Sequence, residues 1–216
     1  MLIMQTVRAA SQAEARVRAG RWREGLKATP DIRDLTLGIV GLGTIGKIVH
    51  QQVKALGMKV IYNNRHRLPP EEEDGAEYVS FEDLIHIADV ISLHTPLTEE
   101  THHMISDDQF RQMKDGVFIV NTSRGSVIDE EALVRALQSG KVCRVGLDVF
   151  EREPFVHPWL AQSDRCTLLP HWAAATTRVS VDGEKEILAN LQAWITTGKP
   201  NSPVNKPRLR NLSIVI

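Results

Sequence analysis

The sequence predicts an α/β fold, a doubly wound parallel sheet with flanking N- and C-terminal helices, on three observations. Short β-rich runs, apolar almost throughout, alternate with amphipathic stretches, as expected of strands covered on both faces by crossover helices. Gly41, Gly43 and Gly46 stand between the first such run and the first such helix, where an α/β unit turns over. No internal repeat or low-complexity segment breaks the alternation, and 216 residues can bury one full core, or one core plus an appendage.

Taken in order, the elements begin with a helix. Ile3, Val7, Ala10, Ala13 and Val17 recur at steps of three or four, one stripe of a helix that could stop at Gly20 and that needs an apolar partner. The turn-like "KATPDIRD" follows, then the strand "LTLGIV", a helix over Lys47 to Leu56, and the strand "KVIYN". Next come helix "FEDLIHIA", strand "DVISLH", helix "SDDQFRQM", strand "GVFIVN", helix "DEEALVRALQSG" and strands "VGLDVF" and "CTLLP". A last helix, Arg178 to Thr197, precedes "GKPNSPVNKPRLRNLSIVI", whose prolines and polar residues read as an extended tail. The resulting division is a helical segment over 1–30, a sheet domain over 31–176, and a helix with tail over 177–216.

Composition removes several function classes. With 26 basic and 27 acidic residues and a net charge of -1, the chain lacks the electrostatic footprint of a nucleic-acid binder. Cys143 and Cys166 stand too far apart for a zinc knuckle or redox pair and read as reduced thiols; no disulfide framework and no metal site are expected. The short apolar start is too brief for a signal segment, and no run is long enough to span a bilayer. The expectation is a cytoplasmic protein acting without a membrane or nucleic acid.

The chemistry starts at "GIVGLGTIGK". Gly41 permits the tight strand-to-helix turn, Gly43 lets backbone approach a pyrophosphate, and Gly46 allows close packing of helix on strand. Phosphates would meet the free N–H groups at the start of that helix. A G-x-G-x-x-G alone is a weak signal, but here it follows an apolar strand, opens a helix and leads to a second strand, the context that dinucleotide binding requires. About twenty residues on, where an acidic residue would hold a ribose hydroxyl, stands Asn64, followed by Arg65, His66 and Arg67. No carboxylate repels a 2′-phosphate there. Arg65 and Arg67 could pair with one, each charge-assisted bond contributing ~1.5–3 kcal/mol in good geometry. The competing reading is a solvated turn before Pro69 and Pro70.

Three later strand ends carry polar groups where ligands of open α/β sheets collect. "VFIVNTSRGSVIDEEAL" offers Asn121, Thr122, Ser123 and Arg124, the last able to hold a carboxylate in a bidentate fork. "GLDVFEREP" offers Asp148, Glu151 and Glu153, and "LLPHW" offers His171. A histidine beside a carboxylate is suited to exchanging a proton near neutral pH. His94, His102 and His103 are expected to be structural or surface groups, Asp129, Glu130 and Glu131 to begin a helix, and Glu151 and Arg152 to form a solvated turn.

At these residues the chain resembles the D-isomer-specific 2-hydroxyacid dehydrogenase family, through "GIVGLGTIG", "SLHTPLTEETHHMI", "VNTSRGSVIDEEAL", "GLDVFEREP" and "LLPHW" in that order and spacing. "YNNRHRLPPEEE" is similar to the glyoxylate and hydroxypyruvate reductase branch, especially its fungal, NADPH-preferring members. The resemblance implies a Rossmann-type coenzyme domain. It also implies hydride transfer from NADPH, in preference to NADH, to a small 2-oxo acid, giving the D-2-hydroxy acid. By that carry-over Arg124 binds the substrate carboxylate, His171 is the proton donor and Glu153, directly before proline, orients it. Thr44 and Ile45 match backbone positions that meet the pyrophosphate, Thr95 and Pro96 line the coenzyme groove, and Asp148 matches an aspartate at the nicotinamide carboxamide. A homodimer through the coenzyme domain is also implied.

Family members carry a flavodoxin-like substrate domain ahead of the interdomain helix, whereas this sequence starts at a segment resembling that helix. The substrate domain is therefore expected to be absent, and with it loops and a closing wall that exclude water from hydride transfer. Two functions follow as alternatives: a 2-oxoacid reductase using a truncated or partner-completed site, and a coenzyme-binding dimerisation or interaction module with little chemistry. An incomplete gene model would have the same appearance.

Overall fold

The computed structural model describes residues 1–204. It divides into a first unit, Met1–Ala173, and a second that begins at Ala174. No helix among the described residues is long and apolar enough to cross a membrane.

The first unit is built on seven parallel strands: β1 (Thr36–Val40), β2 (Lys59–Asn63), β3 (Glu77–Tyr78), β4 (Val90–Leu93), β5 (Val117–Asn121), β6 (Val142–Leu147) and β7 (Cys166–Leu168). Their spatial order is β3-β2-β1-β4-β5-β6-β7, so the winding reverses between β1 and β4 and opens a crevice at the strands' carboxyl ends. In register, Val40 lies beside both Asn63 and Leu93, and Asn121 beside Leu147. The strand-end loops that carry polar groups therefore emerge along one edge.

Successive residues of each strand point to opposite layers. Ile61, Ile91, Ile119 and Val145 belong to one cluster, with Leu84, Leu133 and Leu137 from helices α5 (Phe81–Ile87) and α7 (Glu130–Ser139). Val60, Tyr62, Phe118 and Val120 face the other, with Leu2, Ile3, Val7 and Val53 from α1 (Leu2–Val7) and α3 (Thr44–Ala55). The remaining helices of this unit are α2 (Ala10–Arg18), α4 (Pro70–Glu73), α6 (Asp107–Gln112) and α8 (Pro158–Gln162).

Several elements differ from the sequence reading. The N-terminal stripe is not one helix: Ala9 adopts a left-handed conformation (φ 50°) between α1 and α2. Ile3 and Val7 are buried against the sheet, while Val17 is exposed. The apolar face of α1 thus has its partner within the unit, and it sits so closely over β6 that a Cβ on Gly146 would land on Thr6 Oγ1. The sixth strand runs Val142–Leu147, three residues earlier than "VGLDVF", because half-buried Cys143 and Arg144 interrupt the apolar run without ending the strand. The two-residue β3 and the four-residue α4 are too short to leave a periodic signal. The helix after the glycines begins at Thr44 rather than Lys47.

In the second unit α9 (Thr177–Thr197) is capped by the Thr176 hydroxyl, which accepts from Val179 N–H (3.2 Å), and stops at left-handed Gly198. Val179, Ile187, Leu191, Trp194 and Ile195 are exposed. The tail expected after this helix lies, from residue 205 onward, outside the described residues.

Candidate functional site

The crevice begins at the glycine turn. Gly41 has φ 99°, and its N–H donates to Asn63 O (2.9 Å); a Cβ there would come within 2.9 Å of the His94 carbonyl carbon. Gly46 faces the Gly41 carbonyl oxygen so closely that any side chain would collide with it. Those two glycines let α3 start directly on β1. Gly43 differs, because the space where its Cβ would point is empty within 4 Å and both it and Thr44 and Ile45 are exposed. Open space over Gly43 and first-turn amides without intrahelical acceptors form a cradle that fits a pyrophosphate.

Beyond β2, Asn64 Oδ1 accepts the Leu42 N–H at 2.6 Å, tying this loop to the glycine turn. Arg65 is exposed. Arg67 is exposed as well, but its fork is already engaged: its Nε and Nη2 donate to Glu73 Oε1 and Oε2 at 2.8 and 3.2 Å. Across the switch point Thr95 is half-buried, with its hydroxyl 3.8 Å from Met104 Sδ, and exposed Pro96 accepts from the Thr101 hydroxyl at 2.6 Å. His94 hydrogen-bonds Ser92 (2.9 Å), and burial lowers its pKa to about 4. It is therefore neutral at physiological pH, as suits a structural histidine.

The next strand end carries Asn121, 1% exposed. Its Oδ1 accepts from Ser123 N–H (3.0 Å) and the Ser123 hydroxyl (2.9 Å), and its Nδ2 donates to Arg124 O (2.9 Å). This clamp shapes the Thr122–Arg124 loop, leaving Thr122 and Ser123 half-buried and Arg124 exposed. Gly125 presses on the next loop: a Cβ there would fall on the backbone of Phe150 and Glu151. That approach, which spacing does not reveal, brings the Arg124 loop onto the loop bearing Glu153.

His171 and Glu153 form a pair, Nδ1 to Oε2 at 2.8 Å. The other oxygen, Oε1, accepts from Phe150 N–H at 3.0 Å. Partial burial pushes the Glu153 pKa up, but the bonds from His171 and Phe150 and the charges of His171 and Arg124 outweigh it, and the net shift is downward. The carboxylate stays ionised and accepts the Nδ1 proton, which directs Nε2 away from the pair. His171 itself sits at φ 53°, its N–H donating to Asp148 O (2.8 Å). Asp148, 1% exposed, accepts with Oδ1 from Trp172 N–H (2.7 Å) and with Oδ2 from Ala173 N–H (2.9 Å). Its carboxylate thus holds the histidine's loop, a role that residue type and spacing did not signal.

Glu151 is no solvated turn. It lies 3.1 Å from His103 Nε2, its Oε2 accepts from Glu130 N–H (3.3 Å), and its own N–H donates to Glu130 Oε2 (3.2 Å). These bonds fasten the loop after β6 to the start of α7, where Asp129 caps by accepting from Ala132 N–H (3.0 Å). Glu153 and Glu151, two residues apart, therefore face different partners.

Residues 1–173 match the family model for "D-isomer specific 2-hydroxyacid dehydrogenase, NAD binding domain". Among solved structures, a glyoxylate reductase from Paecilomyes thermophila aligns with a TM-score of 0.90 and 46% identity, covering 94% of this chain and 62% of that one. Among curated proteins, 4-methyl-2-oxopentanoate reductase A of Aspergillus oryzae is 43% identical over 92% of this chain and 60% of its own length. Glyoxylate reductase 1 of Saccharomyces cerevisiae is 40% identical over 97% of this chain and 61% of its own length. The chain thus spans about three fifths of the length of these relatives.

Proposed function

The chain belongs to the D-isomer-specific 2-hydroxyacid dehydrogenase family, and from that premise we propose that it reduces a small 2-oxo acid of the glyoxylate or hydroxypyruvate kind to the D-2-hydroxy acid with NADPH. The carrying observation is the Glu153–His171 pair at 2.8 Å, on strand ends next to the Arg124 loop in a fold with an open glycine cradle. A family "NAD binding domain" supports a nicotinamide dinucleotide as coenzyme. Relatives named for 2-oxo acids with different side chains support the substrate class.

When bound, the coenzyme supplies a hydride to the carbonyl carbon. Arg124 holds the substrate carboxylate in a bidentate pair and draws electron density from the adjacent carbonyl. His171, protonated on both nitrogens, gives its Nε2 proton to the carbonyl oxygen as negative charge develops there. Glu153 stabilises the imidazolium before that transfer and keeps the ring in place through Nδ1. The products are the hydroxy acid, the oxidised coenzyme and a neutral histidine that regains its proton from solvent.

The preference for NADPH rests on the absence of a carboxylate at Asn64 and on exposed Arg65, which would pair with the 2′-phosphate. The Gly43 opening and the amides of Thr44 and Ile45 would take the pyrophosphate, with Thr95, Pro96 and the Asn121–Arg124 loop along the groove. The same reading includes a homodimer through the coenzyme domain.

Titration with NADPH and NADH, followed by NADPH oxidation with glyoxylate or hydroxypyruvate, tests this function. His171→Ala should abolish turnover and leave the coenzyme Kd within about twofold of wild type. Arg65→Ala should reduce the NADPH advantage by about tenfold. Equal wild-type affinities would remove the coenzyme assignment. Tight coenzyme binding with no turnover would identify a binding module instead of a reductase.

A further inference from the structure

Two arginines stand two residues apart beyond β2, and the structure treats them differently. Arg65 is exposed and has no hydrogen-bond partner among the described residues. Arg67 is held by both oxygens of Glu73, at 2.8 and 3.2 Å, and its guanidinium lies 5.9 Å from the centroid of the Tyr78 ring. Glu73 is unusual for a carboxylate on a four-residue helix, because it is only 8% exposed. Fully buried Tyr62 donates its hydroxyl to Glu73 Oε1 (2.8 Å) and accepts the Leu68 N–H (3.1 Å) on the same oxygen.

A buried carboxylate is costly unless charge-assisted bonds offset its lost hydration. Arg67 and Tyr62 supply them. Their bonds outweigh desolvation and lower the Glu73 pKa, while Glu73 raises that of Arg67. The pair is therefore ionised throughout the neutral range, with the Arg67 charge locally neutralised. The loop is anchored at both ends, by Asn64 on Leu42 N–H (2.6 Å) and by Arg67 and Leu68 on the Glu73–Tyr62 pair. Arg65, His66 and Arg67 are all exposed, and of the two arginines only Arg67 has a carboxylate partner among the described residues.

We propose that Glu73 is a specificity-determining positioning residue for the coenzyme: it withholds Arg67 from the ribose 2′-phosphate and leaves Arg65 to meet that group alone. This rests on the NADPH reading above. A clamp that merely holds the loop together would, on removal, weaken both coenzymes in parallel or lower stability. A clamp that sequesters a cation does something different. Its removal frees a second guanidinium beside the first and strengthens binding of only the phosphorylated coenzyme.

The test is the Kd of NADPH and of NADH, read from reduced-coenzyme fluorescence on the full chain, with Tm measured for every variant. Arg67→Ala should leave the ratio Kd(NADH)/Kd(NADPH) within twofold of wild type. Glu73→Gln should raise that ratio by about 3- to 10-fold through NADPH alone, and Glu73→Gln combined with Arg67→Ala should return it to the wild-type value. Glu73→Met, apolar and of similar size, is expected to act alike and covers the case in which the buried amide unfolds the loop. A ratio that collapses in Arg67→Ala as it does in Arg65→Ala overturns the proposal, as do Glu73 variants that weaken both coenzymes equally. If Arg65→Ala leaves the wild-type ratio unchanged, the NADPH reading fails, whereas the Glu73 inference is judged on the response of its own variants.

Discussion

Glu153 has one oxygen on the His171 imidazole at 2.8 Å and the other on the Phe150 N–H at 3.0 Å. Both bonds favour the ionised carboxylate, and its folded-state pKa falls below the ordinary 4.5. A depressed acid pKa contributes stability that is complete above the unfolded value and disappears as pH falls through the folded one. The group is about a third exposed, so solvent screening keeps that contribution small. The melting temperature of wild type should therefore exceed that of Glu153→Gln by about 1–3 °C from neutral pH down to about pH 5, and the difference should shrink as pH falls below the ordinary carboxylate value. A gap that widens on acidification would mean that the pair is not ionised as described. Glu151 shows how position alone misleads at this scale. Two residues before Glu153 in an apparently exposed turn, it is drawn instead to His103 and to the backbone of Glu130.

At the scale of elements, glycines set how closely loops approach. Gly125 follows Arg124 as the first residue of a short 3-10 turn, Gly125–Val127, and its missing side chain is the space occupied by the backbone of Phe150 and Glu151. Gly125→Ala should cost about 1–3 kcal/mol or more in urea denaturation, since backbone rather than a flexible side chain must yield. On the mechanism proposed above it should also raise KM for the 2-oxo acid, by moving Arg124 relative to His171, with coenzyme Kd changed less. Unaltered stability would show that the two loops are not in this contact. Most helices and strands were legible because their apolar periodicity is long enough to read. The break at Ala9, the early start of β6 and the two-residue β3 were not. Each depends on packing against the sheet, and none changes the local pattern enough to be seen in it.

For the first unit as a whole, the five strands β1, β2, β4, β5 and β6 are shared by both apolar layers. Phe118 and Ile119 are neighbours in β5, yet the first lies in the layer with α1 and α3 and the second in the layer with α5 and α7. Ile119→Ala should destabilise by about 2–5 kcal/mol and Phe118→Ala by about 3–5 kcal/mol. Both should lower the midpoint of the same transition in far-UV circular dichroism, because neither layer can melt without the strands they share. Two separable transitions, each moved by one substitution, would show that the layers unfold independently.

What the sequence determined by itself is what repeats or recurs at fixed spacing. Alternating strands and helices imposed the doubly wound sheet, and the glycine series marked where its crevice opens. Residue type at strand ends and ordered motifs marked Arg124, Glu153 and His171 as candidates. What only the tertiary structure decided depends on contacts between segments far apart in sequence or turned unexpectedly at close range. Asp148 holds the backbone of Trp172 and Ala173, α1 is covered by its own sheet, and Glu73 captures Arg67 but not Arg65. Spacing places a charge on a loop, but the direction of its side chain is set by the nearest group that can satisfy it, and that group is known only once the chain has folded.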